Sequence, residues 1–173
     1  FGHGLSYTKF EYSGIKLSKK KIKEGEKLTV SFKIKNVGDR AGAEVAQVYV
    51  CPPESKIYKA DRELKGFEKV YLEAGEEKKI SIELPERAFS YYNVNIKDWH
   101  AESGEYKIIV AASSRDSRLY AAVEVETAKP DAEVPDYRET AKIYYNADSM
   151  ASIPDKQVTA VLGRPRPNNA EFK

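Results

Sequence analysis

The 173-residue chain is poor in the side chains that most often carry chemistry, with one cysteine, Cys51, and two histidines, His3 and His100. A lone cysteine excludes an internal disulfide framework. With no histidine near it in sequence, Cys51 reads as a small buried or half-buried side chain rather than a nucleophile. The two histidines stand far apart with no metal-ligand spacing around either, so neither a metal nor a cofactor is expected. Charge of one sign is also missing: 29 Lys and Arg against 27 Asp and Glu leave a net charge of +2. That balance gives no electrostatic footprint for nucleic acid or an anionic membrane. No apolar run approaches the ~18 residues that a membrane-spanning helix needs. There is no Asn-x-Ser/Thr sequon, which with the lone cysteine fits a bacterial or intracellular setting better than a secreted one. The chain opens on Phe1 rather than methionine, so it is expected to be a piece of a longer protein.

What is present is alternation. Leu28, Val30, Phe32 and Ile34 alternate with Thr29, Ser31, Lys33 and Lys35, the period-two pattern of a strand with one face buried. The run stops at Asn36-Val37-Gly38-Asp39-Arg40, and a second begins with Ala46, Val48 and Val50 on one face and Val45, Gln47 and Tyr49 on the other. A short polar connection between two such runs predicts a hairpin-like pair. Around it stand further predicted strands at Phe10–Leu17, Leu64–Leu72 (interrupted by Gly66), Lys78–Leu84, Tyr106–Val110 and Leu119–Val125. Phe1–Tyr7, the lysine-rich Lys19–Lys23 and Glu54–Arg62 read as loops, and Pro52 and Pro53 stop the strand before them. Phe89–His100 reads as a connection with room for a short strand.

About seven strands at short spacing, with no helix expected before Lys129, predict an all-β, immunoglobulin-like antiparallel β-sandwich. The Gly104-Glu105-Tyr106 entry fits a tyrosine corner, and the missing disulfide favours the fibronectin type III-like version. Residues 1–127 are read as this sandwich and 128–173 as an extended, mostly irregular tail. In the tail, Lys142–Met150 has apolar groups without a period. Ser152–Gly163 carries a helix start at Pro154 and Asp155 and a glycine stop. The tail is expected both to wrap the sandwich in part and to lead into a further domain.

No Gly-rich phosphate loop and no nucleophile elbow occurs. Asp61, Glu63 and Glu68 fall among lysines on strand edges and loops, where a solvated surface explains them. Asp98-Trp99-His100 is a cluster able to stack on a sugar ring and hydrogen-bond it, though an aromatic packed under a loop explains it as well. Tyr58, exposed in its polar loop, stands in the same position. No residue is proposed as catalytic; Tyr58, Trp99 and His100 are the candidates for a substrate rim.

Four stretches, FGHGLSYTKFEYS, NVGDRAGAEVAQVYV, RELKGFEKVYLEAGEEKKI and GEYKIIVAASSRD, resemble in order the fibronectin type III-like domain of glycoside hydrolase family 3 enzymes, the β-glucosidase and β-xylosidase group. His3 departs from the family, which more often has Tyr there. IPDKQVTAVLGRPRP is similar to the segment of members with inverted domain order, where this domain lies between an α/β sandwich and a following barrel. The resemblance implies a retaining hydrolase of terminal β-linked sugars, with its nucleophile on the barrel and its acid/base on the α/β sandwich. Neither motif occurs here; Asp98-Trp99 matches the nucleophile's Asp-Trp only superficially. The implied role is to hold those two partner domains in place, with Glu54–Arg62 at the rim of a pocket for a β-linked oligosaccharide. An independent carbohydrate-binding module and an adhesive fibronectin-type repeat stand as alternatives. The module requires a row of exposed aromatics, for which Tyr49, Tyr71 and Tyr120 are available; the repeat requires tandem copies, and none is visible.

Overall fold

A computed structural model describes residues 1–146 and 153–167. Strands β1 (Phe10–Leu17), β3 (Leu28–Asn36) and β6 (Glu77–Leu84) form one antiparallel sheet in the order β1-β3-β6. A second sheet runs β2 (Lys21–Lys23), β10 (Asp116–Glu126), β9 (Gly104–Ser113), β4 (Gly42–Cys51), β5 (Glu63–Leu72), antiparallel except for the short β2–β10 pairing. A separate two-stranded ribbon, β7 (Tyr91–Asn93) with β8 (Asp98–His100), sits in the predicted connection. The core lies between the two large sheets. Leu28, Val30, Phe32 and Ile34 face Ala46, Val48, Val50, Ile108 and Val110, all buried. The chain is the all-β sandwich that its alternation predicts.

The predicted hairpin between the two central runs does not form. β3 pairs with β1 and β6, whereas β4 pairs with β5 and β9 in the opposite sheet. Alternation fixes which face of a strand is buried, and two such faces are satisfied as well across a core as side by side. The connection at Asn36–Arg40 therefore carries the chain from one sheet to the other.

Asn36 makes that crossing possible. Its side chain is fully buried and uses both of its ends. Nδ2 donates to the carbonyls of Arg40 (2.8 Å) and Leu72 (3.1 Å). Oδ1 accepts from Thr8 Oγ1 (2.7 Å) and the Gly38 N–H (3.1 Å). Strand β3, the crossing, the end of β5 and the N-terminal segment thus share one amide. Thr8 explains the glycines that follow: a Cβ on Gly38 would collide with its Oγ1, and one on Gly42 would lie 2.7 Å from its Cγ2.

Other departures are local. The lysine-rich turn contains β2, because Ile22 between two lysines is driven into the core at 1 % exposure and its backbone pairs with Val125. Gly66 in β5 faces inward beside a bulge, where a Cβ would stand 2.6 Å from Ile82 Cγ2. The tyrosine corner is present: Tyr106 OH donates to the Glu102 carbonyl at 3.1 Å. In the tail, a 3₁₀ turn spans Lys142–Tyr145 and helix α1 spans Asp155–Leu162, closed by Gly163 in the left-handed conformation (φ 67°). The stretch up to Met150 and the Ser152 start of the predicted helix lie partly outside the described residues.

Replacing Asn36 by Leu keeps the volume but leaves two carbonyls, one hydroxyl and one N–H without this partner. The expected loss is about 3 kcal/mol in urea denaturation of the chain. Gly38→Ala is expected to destabilise it through the Thr8 collision.

Candidate functional site

Three irregular pieces meet at one end of the sandwich: the loop 54–62 between β4 and β5, the β7–β8 ribbon, and the first part of the tail. They are joined through two carboxylates that the fold withdraws from water. A buried carboxylate is costly unless donors replace its water, so each gathers neighbours.

Glu102, just before β9, accepts a hydrogen bond from Ser55 Oγ (2.6 Å) and forms an ion pair with Lys59. The two side chains of the pair are only 12 % and 17 % exposed. The Lys59 ammonium lies 4.5 Å from the centre of the Tyr91 ring, a cation–π contact that adds to the seat of the loop. Tyr91 in turn meets His100 edge to face at 5.7 Å. From the tail, Tyr145 OH donates to the Lys56 carbonyl (2.7 Å), and its ring meets Tyr58 edge to face at 6.2 Å.

Glu24, after β2, accepts from the Ala101 N–H (2.9 Å) on one oxygen. On the other it accepts from the Ala128 N–H (2.9 Å) and Thr127 Oγ1 (3.1 Å). It fastens the exit of β10 to the segment after β8. The tail then stays attached: Lys129 bonds Asp98 (2.6 Å) and the Trp99 carbonyl (2.9 Å), and the buried Asn93 donates to the Glu133 carbonyl (2.9 Å).

The three candidates from the sequence are divided by this geometry. His100 turns inward, 3 % exposed, with Nδ1 4.0 Å from Glu24 and 3.5 Å from Thr127 Oγ1, so its ring is part of the interior and not of a rim. Trp99, its neighbour on β8, turns outward. It is 37 % exposed, with the Arg87 guanidinium 4.8 Å from its ring and Tyr92 edge-on at 6.1 Å. Tyr58 is half exposed and lines an open groove of about 440 Å³ with Pro52, Pro53, Ile57 and Tyr145. Lys59, Glu102, Glu24 and Tyr145 went unread because each partner is distant in sequence, 43 residues for the Lys59–Glu102 pair and 104 for Glu24 with Ala128.

The titrating groups do not resemble an acid/base pair. A hydrogen bond from Lys129, then one from the Trp99 N–H, holds the Asp98 carboxyl below the usual range, so it stays ionised. Burial pushes the Cys51 thiol up, which keeps it protonated and unreactive. Burial first and the Glu102 charge second push Tyr91 up to about 12. Among the described residues, no group of three or more His, Cys, Asp or Glu is gathered to hold a metal ion, and no helix is long and apolar enough to cross a membrane.

On the far side of the five-stranded sheet, away from the core, a second apolar cluster is laid down. Tyr49, Ile109 and Ala111 are buried there, with Leu64 and Cys51 partly so. On the strands of this sheet Phe67, Tyr71 and Tyr120 are more than half exposed. Tyr49 and Tyr120 both flank Ile109 in the strand register, while Tyr71 lies opposite Ala43 near the other end of β4.

Comparison with known proteins gives a consistent picture. The Fn3-like family model, a fibronectin type III-like domain, matches residues 44–114. Over 127 residues the chain is 53 % identical to thermostable β-glucosidase B of Acetivibrio thermocellus, covering 73 % of this chain and 17 % of that protein. It is 36 % identical to exo-α-(1→6)-L-arabinopyranosidase of Bifidobacterium longum, covering 98 % of this chain and 24 % of the relative. Among solved structures, the GH3 β-glucosidase of Bifidobacterium adolescentis superposes with a TM-score of 0.69 at 36 % identity, covering 86 % of this chain and 22 % of that one. The chain thus spans about a quarter or less of the length of these proteins.

Glu102→Ala strands the Lys59 ammonium, and removing one partner of a buried pair costs about 3–5 kcal/mol. The expected result is a lower melting temperature and faster proteolysis within 54–62. The double replacement Lys59→Met with Glu102→Leu should recover much of the loss. For Tyr91 the sign follows from its raised value: between an unfolded pKa of 10.0 and about 12 the folded state holds the extra proton. Stability is therefore expected to fall as pH rises through that window. Tyr91→Phe should flatten the fall in alkaline denaturation curves.

Proposed function

Since this chain carries the fibronectin type III-like domain of glycoside hydrolase family 3 enzymes, we propose that it is the non-catalytic scaffold of a retaining β-glycosidase, a β-glucosidase-like hydrolase of terminal β-linked sugars. Its partners in this reading are the barrel and α/β-sandwich domains of the same enzyme, which bring the nucleophile and the acid/base. Residues 1–127 form the scaffold and 128–173 the connecting tail. Tyr58 and Trp99 stand at the rim facing the substrate.

One observation carries the reading: the outer face of the five-stranded sheet. A sandwich needs one apolar core, and this chain has a second apolar cluster on the opposite side of β4 and β9. Exposed aromatics around a buried centre are how a domain surface presents itself to a permanent neighbour. The chemistry fits the same role. Asp98 and Glu102 are tied to Lys129 and Lys59, so they serve the architecture and not a sugar. What such a domain contributes to catalysis is distance. Displacing a catalytic group by ~1 Å can cost ~100-fold in rate, and a stiff sandwich between two domains prevents that.

The carbohydrate-binding-module alternative needs a flat row of aromatics. Tyr49, one of its three candidates, is buried at 3 % exposure, and Tyr71 on β5 is separated from Tyr120 on β10 by two intervening strands and several residues.

Phe67→Lys with Tyr120→Lys tests the scaffold reading. In the 173-residue chain alone these exposed positions should shift stability by no more than about 0.5 kcal/mol. In the full-length protein the same pair should lower both the melting temperature and the kcat/KM for an aryl β-glucoside by tenfold or more. Equal effects in the two settings, or activity in the isolated chain, would refute the scaffold role.

A further inference from the structure

The loop 54–62 is held far more firmly than a polar surface loop needs to be. Ser55 and Lys59 are anchored on Glu102, and the Lys56 carbonyl is anchored on Tyr145. Tyr58 lies between these anchors and is 51 % exposed. The T-shaped contact with Tyr145 (79° between the rings) orients the Tyr58 ring at the groove, where the residue stays half exposed. Fastening a backbone on both sides of an exposed aromatic removes the ordering cost that a ligand would otherwise meet.

The groove's chemistry narrows the ligand. Its walls are the ring of Tyr58, Pro52, Pro53 and Ile57, together with the carboxylates of Glu54 and Asp61. Among the described residues, those two carboxylates make no hydrogen bond or ion pair. The one basic residue in the lining, Lys59, is spent on Glu102. A groove with free acceptors and no free cation repels phosphates and carboxylates. It suits a neutral polyol, whose hydroxyls donate to carboxylates and whose C–H face lies on an aromatic ring.

We propose that the Tyr58 groove is a subsite for a neutral sugar unit of a β-linked oligosaccharide. Tyr58 is its stacking platform, Glu54 and Asp61 are its acceptors, and Lys59, Glu102 and Tyr145 are positioning residues. The ligand class rests on the glycosidase reading; the groove's geometry does not.

Two measurements test it. The first is aromatic NMR of the 173-residue chain titrated with cellotetraose and with laminaritetraose. The Tyr58 and Tyr145 ring signals should move saturably with a dissociation constant in the ~mM range, as expected of one weakly held unit. Tyr58→Ala should abolish the response and Tyr58→Phe should keep it. No saturable shift with either sugar, or shifts that survive Tyr58→Ala, would overturn the subsite.

The second uses the full-length protein. Tyr58→Ala should lower kcat/KM for a tetrasaccharide about fivefold to tenfold, the usual scale for truncating an aromatic anchor, and lower that for an aryl monoglucoside by clearly less. Equal loss on both substrates, or no loss on either, also overturns it. If the full-length protein cleaves no β-glycoside, the glycosidase reading fails, and the titration alone decides the subsite.

Discussion

A carboxylate taken out of water must be answered by donors, and this molecule meets that requirement twice at one end of its sandwich. Glu24 and Glu102 each recruit partners from segments that no strand pairing connects: the loop 54–62, the approach to β9 and the exit of β10. Hydrophobic burial holds the two sheets together, but it has no directional preference and would not fix an irregular loop. The charged hydrogen bonds supply direction. Tyr58 faces the groove because of them, and the tail leaves β10 already fastened.

The opposite end uses a neutral version of the same device. Asn36 satisfies four groups without introducing charge, so the chain can cross the core there with no need for a counter-ion. This division of labour matches what each end has to do. The Asn36 end only reverses the chain. The carboxylate end holds an irregular loop, and charge-assisted hydrogen bonds between little-exposed groups fix its direction.

Much of the fold was legible in the sequence. The alternation in Leu28–Ile34, Ile80–Leu84 and Leu119–Val125 marks strands whose inner faces are the observed core. Tyr106 and Gly163 also announce their local geometry, since each does so through neighbours a few residues away. The sheet assignment of β3 and β4 was not legible, because alternation says which face is buried and not what lies opposite. His100 was misread for a related reason: a three-residue strand is too short for its alternation to say which side faces in. The Lys59–Glu102 seat is invisible in principle to local reading, since both residues look like ordinary surface charges until the fold places them together. The outer apolar cluster was half visible: Tyr49 falls on the face opposite Ala46, Val48 and Val50, but nothing local showed that Ile109 and Ala111 would join it.

The crossing between β3 and β4 has a further consequence for how the chain is made. Emerging from the ribosome, β3 finds β1 at once but waits for β6, which is not complete until residue 84. Strand β4 can zip to β5 early, yet its other edge stays open until β9 is finished at residue 113. During synthesis, then, two central strands pass through a period with an unpaired edge and an oily face, the condition in which β-proteins misassociate. The lysines that alternate along β3, Lys33 and Lys35, lie on that half-built sheet, and like charge on neighbouring nascent chains keeps such edges apart.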